Sequence, residues 1–87
     1  TMDSPPAIVV ARFNDLNPPF IDRVQPELVL CPLMAEGFDA LDVLAHLRAA
    51  DWKTSVGVIS YPLPNRRMVE RELKAHACGL KVDLIIL

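Results

Sequence analysis

The side chains able to do chemistry are few and scattered along the chain. Asp15, His46, Ser60 and His76 fall in separate segments. Neither their order nor their local context suggests a Ser/His/Asp or Cys/His relay. Cys31 and Cys78 do not form a C-x-x-C pair and lack metal-ligand spacing. Both read as reduced structural thiols. Ser60 has the group to bind an anion, or equally to satisfy a loop amide. Asp15 offers a carboxylate for a proton or a metal, but a lone loop carboxylate is ordinarily solvated. No Gly-rich phosphate loop is present, which argues against a nucleotide site. We expect no metal, no cofactor and no enzymatic activity.

Arg66 and Arg67 open a predicted helix, where cations oppose the helix dipole at a cost of about 0.3–1 kcal/mol. An anionic partner would offset that cost with help from the free backbone amides. The plainer alternative is that both extend into solvent. His46 is expected on the solvent flank of its helix. His76, close to a helix end, is expected to complement the dipole there.

These residues must be positioned by a small α/β chain. The segment 26–50, PELVLCPLMAEGFDALDVLAHLRAA, reads as a buried strand, a turn and an amphipathic helix. Residues 27–31 form the strand, and Pro32, with no N–H to donate, is expected to stop its ladder. Gly37 supplies the turn and Asp39 the N-cap. Leu41, Leu44 and Ala45 carry the apolar stripe, with Val43, Leu47 and Ala50 beside them. Residues 7–12, AIVVAR, are rich in β-branched side chains and predict a first strand. Residues 18–24 predict a short helix capped by Asn17 with proline in its first turn. Residues 56–60 predict a third strand, in which Gly57 is expected to mark the close approach of a helix. Residues 66–78 predict a helix capped by Asn65 and stopped by Gly79. Residues 82–87 predict a fourth strand. Trp52 is expected to lie over the lower core. Residues 1–6 are expected to be a flexible tail and 7–87 a single domain.

Residues 26–44, PELVLCPLMAEGFDALDVL, resemble without a gap the middle of a response-regulator receiver domain. Val58-Ile59-Ser60-Tyr61 more weakly resembles that family's fourth strand and its switch Thr/Ser, so Ser60 and Tyr61 are the switch-equivalent pair. The resemblance implies a flavodoxin-like fold. It also implies the loss of the family's chemistry. The phosphoacceptor aspartate falls on Pro32, which has no nucleophilic oxygen. The first strand with its acidic metal-binding pair has no counterpart, and the lysine after the family's fifth strand would lie beyond Leu87. Nucleophile, metal site and charge partner are all missing.

The expected fold is therefore a four-stranded parallel sheet with three helices in the order β-α-β-α-β-α-β, receiver-like. Matching the first strand to the family's second gives the order 1-2-3-4. Every helix then falls on one face and the other is bare. The order 2-1-3-4 would instead split the helices between faces. A bare parallel sheet is disfavoured in water, and 52% of the chain is hydrophobic, so a homodimer is expected. The net charge of −2 argues against a nucleic-acid partner. No apolar run reaches the roughly 20 residues of a membrane span. With no basic, apolar leader at its start, the chain is expected to be cytoplasmic. The function expected is a non-phosphorylatable pseudo-receiver serving protein–protein interaction, including homodimerisation, in signalling. The alternative is a small-ligand-binding or enzymatic protein using the strand C-terminal rim, which would hold Arg12, Phe13, Asn14, Asp15, Pro32, Leu33, Met34, Ser60 and Tyr61.

Overall fold

The computed structural model describes residues 8–87. After a 3-10 turn at Phe13–Asp15, helix α1 spans Pro18–Val24. Strand β1 is Leu28–Pro32. The short strands β2, Met34–Ala35, and β3, Phe38–Asp39, follow, and then helix α2, Ala40–Ala49. Strand β4 is Ser55–Ser60, helix α3 is Arg66–Ala75, and strand β5 is Lys81–Ile86. One parallel sheet has the order β1-β4-β5. β2 and β3 make a separate antiparallel pair.

The expected four-stranded receiver-like sheet is thus corrected to three parallel strands plus a two-stranded hairpin. Residues 8–12 form no strand, and Ile8 and Val10 are 86% and 93% exposed. Ala7 lies outside the described residues. β-Branched composition favours a strand only where an edge is there to receive it. The ladder explains why β1 is a poor one. Leu33 N–H donates to the Ile59 carbonyl, so Val29 and Cys31 also bond toward β4, by alternation. Leu28, Leu30 and Pro32 then turn their backbone groups outward. Pro32 therefore does not stop the strand, as its position suggested; it ends inside β1 because its missing N–H falls on the open edge. The same lack leaves that edge one donor short for a fourth strand. Instead the chain turns ahead of α1, with Arg12 N–H donating to the Asp15 carboxylate at 3.3 Å.

The caps follow local chemistry. Asn17 Oδ1 accepts the Phe20 N–H at 3.0 Å. Asp39 and Asp42 make a reciprocal box, each carboxylate accepting the other's backbone N–H at 2.9–3.0 Å. Asn65 does not cap α3 by its side chain, contrary to expectation. Its amide faces Met68 Sδ instead. α3 also ends three residues earlier than its apolar pattern predicts, because Cys78 and Gly79 both take left-handed backbone, φ 47° and 94°. Gly37, φ 90°, makes the two-residue turn between β2 and β3.

All three helices contribute to one core. Ile21 from α1, Val43, Leu44 and Leu47 from α2, and Leu73 from α3 pack with Cys31, Val56, Val58 and Val82 of the sheet. Trp52 packs against this core from below and donates Nε1–H to the Pro26 carbonyl at 2.9 Å. Thr54 Oγ1–H donates to the Glu27 carbonyl at 2.6 Å, tying the start of β4 to the start of β1.

The opposite face of the sheet has no helix over it. Its three rows are Leu28/Ser55/Lys81, Leu30/Gly57/Asp83 and Pro32/Ile59/Ile85. Leu28, Leu30 and Ile85 are 56%, 57% and 41% exposed. Gly57 belongs to this face and meets no helix, which corrects the expectation of a helix crossing. A Cβ there would lie 2.7 Å from Leu30 Cδ2 and 3.0 Å from Ile85 Cδ1. The two edge-strand side chains lean inward over the glycine and partly close the face.

Candidate functional site

The rim beyond the strand C-termini is built from the end of β1, the hairpin, and the turn after β4. Leu33 N–H bonds to Ile59 and its carbonyl accepts Ala40 N–H at 3.0 Å, which fixes the hairpin over the rim. Phe38, on β3, stacks on Phe13 with centroids 4.6 Å apart and planes 5° from parallel. His46 meets the same Phe13 edge-on at 4.5 Å. Its Nδ1–H donates to the Asp42 carbonyl. His46 is exposed, as its place on α2 predicts, but its ring closes an aromatic cluster that the sequence reading missed. Only Phe13 was placed at the rim, and no local spacing ties it to Phe38 or His46.

Two polar side chains of the rim, Ser60 and Asp15, bond to backbone. Ser60 Oγ–H donates to the Tyr61 carbonyl at 2.8 Å. Asp15 accepts the Arg12 N–H. Tyr61 and Met34 are exposed, at 77% and 79%. Pro32 sits at the end of β1 with no oxygen nucleophile. Among the described residues no cluster of His, Cys, Asp and Glu is placed to hold a metal. The structure therefore brings Pro32, Leu33, Met34, Ser60 and Tyr61 to one end of the sheet, and that end is largely apolar.

Two cavities lie near these elements, and neither is lined by Ser60, Tyr61 or Asp15. One, of about 200 Å³, separates Val9, Arg12 and Phe13 from Leu28, Leu30 and Pro32 of β1. The other, of about 110 Å³, runs between α3 and the outer side of β5, with Arg66, Glu70, Lys74 and Leu84 among its walls.

Arg66 and Arg67 do not act as a pair. Arg66 Nε–H donates to Glu70 one turn on. Arg67 is exposed. Cys31 is buried, and desolvation pushes its thiol up to about 11. Cys78 is exposed, with Arg48 Nη1 3.5 Å from its sulfur. His76 caps the end of α3, its Nδ1–H donating to the Glu72 carbonyl.

No family model matches the chain, and comparison with curated proteins and with solved structures returns no match. Among the described residues no helix is long and apolar enough to cross a membrane.

Proposed function

We propose that this chain is a non-phosphorylatable pseudo-receiver domain that works as a protein–protein interaction module in the cytoplasm, and that its first partner is a second copy of itself. One observation carries the reading: the uncovered apolar face of the β1-β4-β5 sheet, with Leu28, Leu30 and Ile85 exposed on it. Parallel sheets are ordinarily covered on both sides. An apolar patch on one side of a small domain marks a docking surface. The rim supports the same reading, since the Ser60 hydroxyl is taken up by backbone and the exposed groups around it include Met34 and Tyr61. The receiver ancestry rests on the sequence resemblance over 26–44 and on Pro32 at the phosphoacceptor position.

The test is a pair of charge insertions on the open face. Leu30→Lys and Ile85→Lys place an ammonium on a surface that already faces water in the single chain, so helix content by circular dichroism stays near wild type. Sedimentation velocity should show the wild type associating and both variants running as monomers. Variants that associate as the wild type does would remove the sheet face from the account.

A further inference from the structure

Beside β1 the fold leaves a slot of about 200 Å³. All five residues of the strand, from Leu28 to Pro32, contribute to its wall. The slot therefore runs the length of the strand, about 16 Å. Ile21 and Val24 of α1 close one side, and Val9 and Phe13 stand across from the strand. The volume lies below the roughly 300–1,000 Å³ of drug-sized ligand sites, so the slot takes a small, thin occupant.

Two features of this wall are polar. The first is the open edge of β1. Leu28 and Leu30 turn their N–H groups away from β4, and among the described residues no hydrogen bond reaches either one. The second is Arg12. Among the described residues it is the one charged side chain in the lining, and no Asp or Glu lines the slot. Asp15 accepts the backbone N–H of Arg12, but its carboxylate stands outside the lining. Among the described residues the Arg12 guanidinium makes no ion pair. Arg12 precedes Phe13, whose ring stacks on Phe38 at the rim. The cation and the rim thus share one end of the slot, and the other end, toward Val24 and Pro26, is apolar.

We infer that this slot binds a small linear monocarboxylate of the medium-chain fatty-acid class. The carboxylate pairs with Arg12 and accepts the Leu30 N–H, both charge-assisted bonds. The alkyl chain lies along β1 and covers apolar surface between the strand and Val24. A linear chain matches a slot as long as the strand. A single negative charge matches a single cation in a wall that holds no acid. A cationic amphiphile would instead set like charge beside Arg12.

The probe is sodium octanoate, titrated into the full chain and followed by amide NMR. Saturable shifts are expected at Leu28 and Leu30, with slower exchange at the Leu30 amide. R12E should weaken binding at least tenfold with helix content by circular dichroism near wild type, and R12K should keep most of the affinity. Acetate, which lacks the chain, and octylamine, which reverses the charge, should both fail to bind. Shifts that rise without saturating, or octylamine binding as tightly as octanoate, would overturn the proposal. So would equal affinity in R12E, which would leave an apolar slot with no head-group site. A Leu30 amide protected in the free chain at every dilution would give the slot to a segment of this chain. Protection that grows with protein concentration would give it to a second copy, and either result overturns the proposal. Octanoate binding is expected unchanged in I85K, because Ile85 lies on the sheet face and outside the slot. Its loss there would tie the binding to the sheet face and sink the slot.

Discussion

The chemistry of single residues is mostly that of groups already satisfied. In the proposed pseudo-receiver reading Pro32 stands where a phosphoacceptor would, and among the described residues no cluster of His, Cys, Asp and Glu is placed to hold a metal. Treatment with acetyl phosphate and magnesium should therefore leave the chain unmodified by intact-mass spectrometry. P32D should remain unmodified too, because an aspartate alone lacks the cation that activates the phosphoryl group. A phosphoryl adduct on either protein would contradict the account. The cysteines offer a second check. The Cys31 thiol is held up at about 11 by burial, above its ordinary value of 9.0. A raised thiol pKa means that the folded state keeps its proton longer than the unfolded state. The stabilising contribution is present below about pH 9 and is lost as pH rises from 9 toward 11. At pH 8 the exposed Cys78 should be alkylated by iodoacetamide first, and Cys31 only after denaturant is added. Equal rates in the native protein would show that Cys31 is not buried. The sequence placed both thiols on buried or semi-buried elements; what it could not show is that left-handed backbone at Cys78 and Gly79 ends α3 early and leaves Cys78 outside.

At the level of elements, helices were legible and one strand was not. Asn17 and Asp39 cap their helices as their side chains predict, since an N-cap depends on chemistry within three residues. Asn65 looked equivalent, but its φ of −135° and ψ of 67° leave no side-chain cap bond. D39A removes the half of the box in which the Asp39 carboxylate accepts the Asp42 N–H, leaving the residue-39 N–H to donate to Asp42, and should cost about 1 kcal/mol in urea denaturation. N65A should cost a few tenths at most. L44A, in the centre of the core, should cost about 2–5 kcal/mol. Similar losses for D39A and N65A would contradict the capping assignment. Residues 8–12 misled for a different reason. Their composition fits a strand, yet strand formation depends on an available edge far along the chain, and the β1 edge lacks the Pro32 donor. The hairpin at 34–39 was hidden for the converse reason. Two-residue strands leave no periodicity to read, and only Gly37 signalled the turn. Pro32 itself shows how far strand formation depends on register: proline ends a ladder or is tolerated in it according to which side of the strand its nitrogen faces.

Across the whole molecule, the distribution of apolar surface is the main result. The connectivity implied a bare face only for the order 1-2-3-4 of a four-stranded sheet; that sheet is not formed, and the uncovered face belongs to the three strands β1-β4-β5. Three strands about 4.8 Å apart and about six residues long make a face of roughly 14 by 20 Å. Two such faces bury less than a standard stable interface, so the dimer should be reversible. The candidate site was less legible than the fold. The slot beside β1 brings Arg12 together with backbone groups of the open edge, and which of those groups face it depends on the parity of the ladder. Neither composition nor motif reveals that parity.

The central claim is that the uncovered face draws two copies together. The most direct measurement is solution mass by light scattering coupled to size exclusion, over a dilution series of the wild-type chain. The account predicts a mass near twice 9.7 kDa at high concentration, falling toward the monomer on dilution. A monomer at every concentration would contradict it.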